Sequence, residues 1–147
     1  AFKCPLVSLK YDGVRLALCI VRHKSVWYAI GTCRRAQAWC VPCLTATTEM
    51  VLDCEYIERT RSFVVFDLLS IRGRVPDTDY RARLRAIAAL TFPTLACGFT
   101  LRCKTVYPMC ALTKSWYSSM CGECDGIIIH EGAARLNDAC ALYKWKG

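Results

Sequence analysis

The chain has 147 residues, which is enough for one domain with a sizeable core, so we expect a single domain over residues 1–147. Its 20 lysines and arginines outnumber 12 aspartates and glutamates, and the net charge of +8 favours anionic partners such as polyphosphates or nucleic acid. The longest uncharged stretch, residues 86–101, is interrupted by Pro93 and Gly98, which excludes a membrane span, and without a secretory leader we expect an intracellular protein.

Alternating apolar and polar residues predict strands through the first half of the chain. After an Asp12-Gly13 turn, residues 14–21 place valine, leucine and isoleucine side chains at every second position. Further short apolar or alternating runs are separated by glycine, proline and charged residues. They cover residues 26–30, 36–41, 50–57 and 62–68, and together they predict an antiparallel meander.

The periodicity changes after Gly73. Asp77 or Thr78 is expected to cap a helix of about four turns that ends at residues 91–93. A strand is predicted at residues 99–107, a short helix at 111–119, and strands at 127–129 and 141–145. Strands with few helices predict the α+β class.

The first motif that carries chemistry lies at residues 10–15 (KYDGVR). It places Lys10 at the end of one strand, a tight turn after it, and Arg15 on the next strand. Taken alone, such a pattern is more typical of an ordinary Asp-Gly turn with a solvated lysine. Four more segments follow in order along the chain: LDCE at 52–55, FVVFD at 63–67, DGIII at 125–129 and LYKWK at 142–146.

These five ordered motifs resemble those of the covalent nucleotidyltransferase superfamily, which comprises the capping guanylyltransferases and the DNA and RNA ligases. The resemblance implies antiparallel β-sheets with flanking helices that form a nucleotide-binding groove. It also implies an oligonucleotide-binding barrel downstream of residue 147. In this superfamily a lysine forms a phosphoramidate with a nucleoside monophosphate, and the resemblance assigns that role to Lys10.

The resemblance also implies roles around the nucleotide. Arg15 is expected to contact the ribose or a phosphate, and Glu55 to contact the ribose or a metal-bound water. Phe66 resembles the aromatic residue that stacks on the purine, although an aromatic residue in an apolar strand is usually core. Cys54 replaces the usual glycine between Asp53 and Glu55.

Charged residues near the end of the chain complete the expected site. Asp125 resembles the acidic residue beside the catalytic metal, and with Glu55 it suits Mg²⁺ or Mn²⁺, which prefer oxygen ligands. Lys144 and Lys146 share one face of a predicted strand, so both ammonium groups can point at one phosphate cluster and favour the unprotonated form of the nucleophile. Lys104 resembles a lysine that lies near the guanine.

Motif wording favours a capping guanylyltransferase. Asp125 opens the fourth motif where ligases more commonly have glutamate, and the last motif reads Lys-Trp-Lys as in capping enzymes. The expected substrates are GTP and the 5′-diphosphate end of RNA, with a fused or associated RNA triphosphatase and methyltransferase, in the nucleus or in the cytoplasm if the source is viral. The alternative is an ATP-dependent ligase that seals nicked DNA or RNA.

Twelve cysteines permit a third hypothesis, an inactive zinc-stabilised module that binds nucleic acid. Two CxxC pairs, Cys40 with Cys43 and Cys121 with Cys124, could close one tetrahedral site. Buried free thiols are the simpler expectation. His23 and His130 are expected to be solvated or edge residues without a catalytic role.

Overall fold

The computed structural model describes residues 4–34, 36–111, 113, 124–131 and 142–146, with the backbone alone for 111, 125 and 142–146. One sheet has four strands: β1 (Leu6–Tyr11), β8 (Val106–Pro108), β9 (Cys124–His130) and β10 (Leu142–Lys146). The other has six strands: β2 (Val14–His23), β3 (Val26–Thr32), β4 (Ala38–Pro42), β5 (Met50–Ile57), β6 (Ser62–Ile71) and β7 (Thr100–Cys103).

The α+β prediction with flanking helices is wrong for the part of the chain that the structure describes. Ten strands form two sheets, and the α-helix found there, α1 (Tyr80–Ala89), has 10 residues. Two single turns of 3-10 helix add little. The described part is therefore mostly β, because most of its apolar runs form paired strands rather than helices.

The order of the six-stranded sheet is β4-β3-β2-β5-β6-β7, which is not the simple meander that the sequence predicts. β2, β3 and β4 do follow one another, but β5 pairs with β2 on the opposite side from β3. This crossover places Glu55 directly opposite Arg15. Two charged residues 40 positions apart in the chain therefore share one face of the sheet.

One face of the six-stranded sheet carries the core. The predicted alternation of β2 is confirmed, since Leu16, Leu18 and Ile20 are buried and the residues between them are exposed or half-buried. Tyr56 and Phe63 pack there with ring centroids 4.9 Å apart. Polar residues of β2 and β5 are thereby left on the opposite face, which is available for a binding site.

The helix α1 is shorter than predicted and begins later. Asp79, rather than Asp77 or Thr78, caps it by accepting a 2.9 Å hydrogen bond from the Ala82 backbone N–H. It ends at Ala89, after about three turns. The predicted helix at 111–119 falls outside the described residues except for 111 and 113. Within the described ranges, no helix is long and apolar enough to cross a membrane.

The single strand predicted at residues 99–107 is in fact two strands in different sheets. β7 pairs in parallel with β6, and β8 pairs with β1 in the four-stranded sheet. Lys104 lies at the crossing, where its backbone N–H donates a 2.7 Å hydrogen bond to the Val65 carbonyl. This lysine is therefore positioned between the two sheets rather than on a solvated strand.

Candidate nucleotide-binding site

A cavity of about 160 Å³ lies where the end of β1 meets the polar face of the six-stranded sheet. Residues from both sheets and from the β1–β2 turn line it: Lys10, Tyr11, Gly13, Arg15, Glu55, Phe66, Lys104, Ile128 and His130. Five residues that the sequence nominated, from four separate segments of the chain, thus line one cavity. They are Lys10, Arg15, Glu55, Phe66 and Lys104.

The tight turn between β1 and β2 fixes the position of Lys10. A Cβ atom at Gly13 would lie 2.3 Å from the Tyr56 carbonyl oxygen, so only glycine allows this approach of the turn to β5. The Gly13 backbone N–H also donates a 3.2 Å hydrogen bond to Oε1 of Glu55. The turn therefore connects the end of β1, where Lys10 lies, to the carboxylate of Glu55.

Arg15 is held by Asp53 in a bidentate ion pair. Its Nη2 and Nε donate to the two carboxylate oxygens at 2.7 and 3.2 Å. The hydrogen bond to Asp53 raises the pKa of Arg15, and burial raises the pKa of Asp53 although Arg15 opposes that shift. The Arg15 side chain stays 61% exposed, so the pair orients a guanidinium that still faces the cavity.

Phe66 lies at a bulge in β6. On β5, Asp53 pairs with Asp67 and the next residue, Cys54, pairs with Val65, so Phe66 has no partner in the register. A bulge of this kind re-aims a side chain, and such bulges are common beside binding sites. The hydroxyl of Tyr80, the first residue of α1, donates a 3.2 Å hydrogen bond to the Phe66 carbonyl. The helix thereby supports the strand at the point where the aromatic ring enters the cavity.

Two cations lie over the Phe66 ring. The Arg15 guanidinium carbon is 5.4 Å and the Lys104 ammonium nitrogen 5.3 Å from the ring centroid, within the range of cation–π attraction. Lys104 is only 6% exposed, and its nitrogen is also 5.7 Å from the centroid of Tyr11. Two positive charges, one of them on a buried ammonium group, therefore lie beside the Phe66 ring at this cavity.

The remaining predicted residues lie on β9, which pairs with β1, and on β10, which pairs with β9, and their backbone positions are described. Lys144 pairs with Ile128 and Lys146 with Gly126, and Gly126 in turn pairs with Lys10, so Lys146 and Lys10 lie in one row across three strands. Asp125 lies where β9 shifts register against β1, next to Lys10. The side chains of Lys144, Lys146 and Asp125 lie outside the described part of the chain.

The expected divalent ion would need oxygen ligands near the cavity. Glu55 supplies one carboxylate there, which suits Mg²⁺ because this ion commonly uses one or two carboxylates together with substrate phosphates. Among the side chains that the structure describes, no cluster of three or more histidines, cysteines or carboxylates is arranged around a common point.

His130 is buried, so the prediction of a solvated or edge residue is wrong for it. It is 6% exposed, its Nε2 shares a 2.9 Å hydrogen bond with Oγ of Ser8, and its ring stacks on Tyr80 with centroids 4.7 Å apart. Burial, and then the charge of Lys104, lower its pKa from 6.5 to about 4. A neutral imidazole thus lines the cavity beside Lys104, whereas His23 is exposed as expected.

This buried imidazole predicts a pH dependence of stability. Because the folded pKa lies below the unfolded one, the contribution of His130 is complete above pH 6.5 and is lost as the pH falls towards 4. The free energy of unfolding of the wild type, relative to a His130→Gln variant, should fall by about 3 kcal/mol across that interval. Urea titrations at several pH values measure it. For the control His23→Gln, the free energy of unfolding should change with pH as it does in the wild type. A difference between wild type and His130→Gln that does not change with pH would contradict the lowered pKa of His130.

The described cysteines are free thiols. Cys40 and Cys43 lie on or just after β4, at one edge of the six-stranded sheet, and Cys124 begins β9 in the other sheet. Cys121 lies outside the described residues. Cys54 is fully buried and contributes to the core, in line with the expectation of buried thiols, but Cys103 is exposed. The described members of the two CxxC pairs are thus separated between the two sheets.

Sequence reasoning missed two features of this site, the burial of His130 and the pairing of Arg15 with Asp53. The strand run at residues 127–129 ends one residue short of His130, although extending the alternation from Ile128 would have placed both on one face. The pairing of Arg15 with Asp53 depends on β2 and β5 being neighbours.

No model of a known protein family matches the sequence, and a comparison with curated proteins likewise gives no match.

Proposed function

We propose that this chain is the nucleotidyltransferase domain of an mRNA capping guanylyltransferase. In the first step, unprotonated Nζ of Lys10 attacks the α-phosphorus of GTP, the bond to the β-phosphate oxygen breaks, pyrophosphate leaves, and the amine proton passes to solvent. In the second step, a terminal phosphate oxygen of 5′-diphosphate RNA attacks the same phosphorus. The P–N bond then breaks, Lys10 regains a proton, and a 5′–5′ triphosphate bridge is formed.

The observation that carries this proposal is the meeting of Lys10, Arg15, Glu55, Phe66 and Lys104 around one cavity. They come from strands of two sheets and from the connection between β7 and β8, and they span residues 10–104, so their proximity does not follow from their sequence positions. An amine, a guanidinium, a carboxylate and an aromatic ring are the groups needed to attack a phosphate, bind its charge, bind a ribose or metal, and stack a base.

Lys104 favours guanine over adenine at this ring. Its ammonium group only donates hydrogen bonds, and its nitrogen lies 5.3 Å from the centroid of Phe66. Guanine presents two acceptors, O6 and N7, on its major-groove edge, whereas adenine presents the N6 amine beside N7. A base stacked on Phe66 can therefore accept from Lys104 through both O6 and N7 if it is guanine, whereas adenine offers N7 alone and places its N6 donor beside the ammonium group.

A divalent ion, Mg²⁺ or Mn²⁺, would supply neutralisation of charge on the phosphates. Glu55 and Asp125 would hold it, with phosphate oxygens completing the coordination. Glu55 has a second task in this arrangement, since it accepts the hydrogen bond that anchors the turn after Lys10. Arg15, already oriented by Asp53, would bind the ribose or the α-phosphate.

The direct test is covalent labelling of the full-length polypeptide. It is incubated with GTP or ATP labelled at the α-phosphate and with Mg²⁺ or Mn²⁺, and the protein is then resolved under denaturing conditions. Label from GTP that survives denaturation supports the proposal. Exclusive labelling by ATP would instead support the ligase alternative, for which nicked DNA or RNA is the acceptor to try next.

Lys104→Met tests the assignment of the base reader. The variant keeps the length of the side chain and removes its charge, so we expect GTP labelling at limiting nucleotide to fall by about 10- to 100-fold, as for one lost base contact. ATP labelling should fall much less, because adenine offers Lys104 one acceptor instead of two, so the GTP/ATP ratio falls. Lys24→Met, in the exposed β2–β3 turn, is the matched control. Equal losses with both nucleotides would show that Lys104 does not distinguish the bases.

A further inference from the structure

A second, larger cavity adjoins the one that contains Lys10. It has a volume of about 680 Å³, within the range typical of ligand sites. Gly13 and Arg15 line both cavities, so the two are neighbours on the same face of the six-stranded sheet. Thr32, Cys33 and Arg34, at the end of β3, form its far side.

The floor of this cavity is open because a small residue lies at its centre. Ala17 pairs with Thr32 on β3 and with Asp53 on β5, and residues directly opposite one another in antiparallel strands share a face. Ala17 is exposed, as is Thr32. A longer side chain at position 17 would extend into the cavity.

The charges around the cavity favour an anion. Arg15 lies at the side shared with Lys10, and Arg34 is exposed at the other side. Asp53 is the one carboxylate among the described lining residues, and both of its oxygens accept hydrogen bonds from Arg15. The Arg34 guanidinium therefore adds positive charge to the far side of the cavity, and guanidinium groups bind phosphate well.

We propose that this cavity binds the phosphorylated 5′ end of the acceptor RNA during the second step. The inference rests on the proposed function and adds to it a place for the acceptor. Arg15 borders both cavities, so the attacking diphosphate and the phosphorus bonded to Lys10 meet beside one guanidinium. Arg34 holds the acceptor phosphates or the first linkage of the strand, and Thr32 offers a hydroxyl to the same group.

Charge-reversal variants separate the two steps. Ala17→Glu introduces a carboxylate at the centre of the floor, Ala17→Gln is its neutral match, and Arg34→Glu reverses the charge at the far side. Arg22→Glu is the control, because Arg22 is exposed on the same strand and lines neither cavity. Each variant is made in the full-length polypeptide and is first labelled with GTP. Transfer from the labelled protein to a 5′-diphosphate RNA oligonucleotide is then timed.

We expect labelling within about twofold of wild type for Ala17→Gln, Arg34→Glu and Arg22→Glu, since none of them changes a charge beside the Arg15–Asp53 pair. Ala17→Glu adds a carboxylate beside that pair, so for this variant only transfer from the labelled fraction is compared. Transfer should slow by about 10- to 100-fold in Ala17→Glu and Arg34→Glu, as for a lost hydrogen bond between charged groups, and much less in Ala17→Gln and Arg22→Glu. Increasing the RNA concentration should restore part of the rate.

Three results would overturn the inference. Transfer at the wild-type rate in both Ala17→Glu and Arg34→Glu would show that the acceptor binds elsewhere. In Arg34→Glu, a loss of labelling as large as the loss of transfer would show that this cavity binds the nucleotide instead. Wild-type protein that takes up no label from either nucleotide would refute the proposed function, and this inference with it.

Discussion

Replacing Lys10 by alanine is expected to reduce covalent labelling by GTP by at least roughly a thousandfold, because no other group replaces the amine that bonds to phosphorus. Lys10→Arg should be equally inactive. It keeps the positive charge at the end of β1, but a guanidinium stays protonated at any pH that the protein tolerates and cannot act as the nucleophile. Denaturing electrophoresis after incubation with labelled GTP measures both variants.

The controls for this prediction separate chemistry from folding. Lys10 is half-buried at a strand end, so neither substitution should lower the midpoint of thermal unfolding by more than a few degrees. Lys24→Ala removes an exposed lysine in the β2–β3 turn and should label like the wild type. Undiminished labelling of Lys10→Ala in a folded protein would end the proposed mechanism.

Removing the Arg83 charge is expected to have the largest effect on stability, a loss of about 3–5 kcal/mol in the free energy of unfolding. Arg83 on α1 is buried, and its Nε and Nη2 donate to the two oxygens of Asp67 at 2.7 and 3.1 Å. Arg83→Met would leave the Asp67 carboxylate largely buried without its partner. Because Asp67 follows Phe66 on β6, this change should also displace the Phe66 ring that lines the Lys10 cavity and weaken GTP labelling.

Urea unfolding of a matched set of variants tests whether the Arg83–Asp67 ion pair stabilises the fold. Arg85→Met, exposed on the same helix, should change the free energy of unfolding by less than about 0.5 kcal/mol. The double variant Arg83→Met with Asp67→Asn should lose less than the sum of the two single changes, since removing both charges leaves neither uncompensated. Strict additivity would show that the ion pair contributes nothing as a pair.

The ion pair also explains why one short helix matters in a mostly β domain. α1 contacts β6 through Arg83, and its first residue, Tyr80, donates to the Phe66 carbonyl and stacks on His130 of β9. The helix therefore joins residues of both sheets at one side of the cavity. A helical segment was predicted here from spacing alone, but its part in positioning Phe66 was not.

Local patterns in the sequence were sufficient to predict several features. Alternation identified β2 and its buried face, and the bounds of β5, Met50–Ile57, agree with the predicted run. These predictions succeed because the two-residue period of a strand is a local property. The motifs likewise nominated Lys10, Arg15, Glu55, Phe66 and Lys104, since each lies in a short recognisable segment.

Only the tertiary structure decided which distant residues meet. The pairing of β5 with β2 brings Asp53 and Glu55 to Arg15, the crossing of the chain at Lys104 splits one predicted strand between two sheets, and His130 is buried against Tyr80. Each depends on strand order and on contacts between residues far apart in the chain, which periodicity does not encode. The sequence determined which side chains could do chemistry, whereas long-range pairing and burial decided which of them share a cavity and which stay uncharged there.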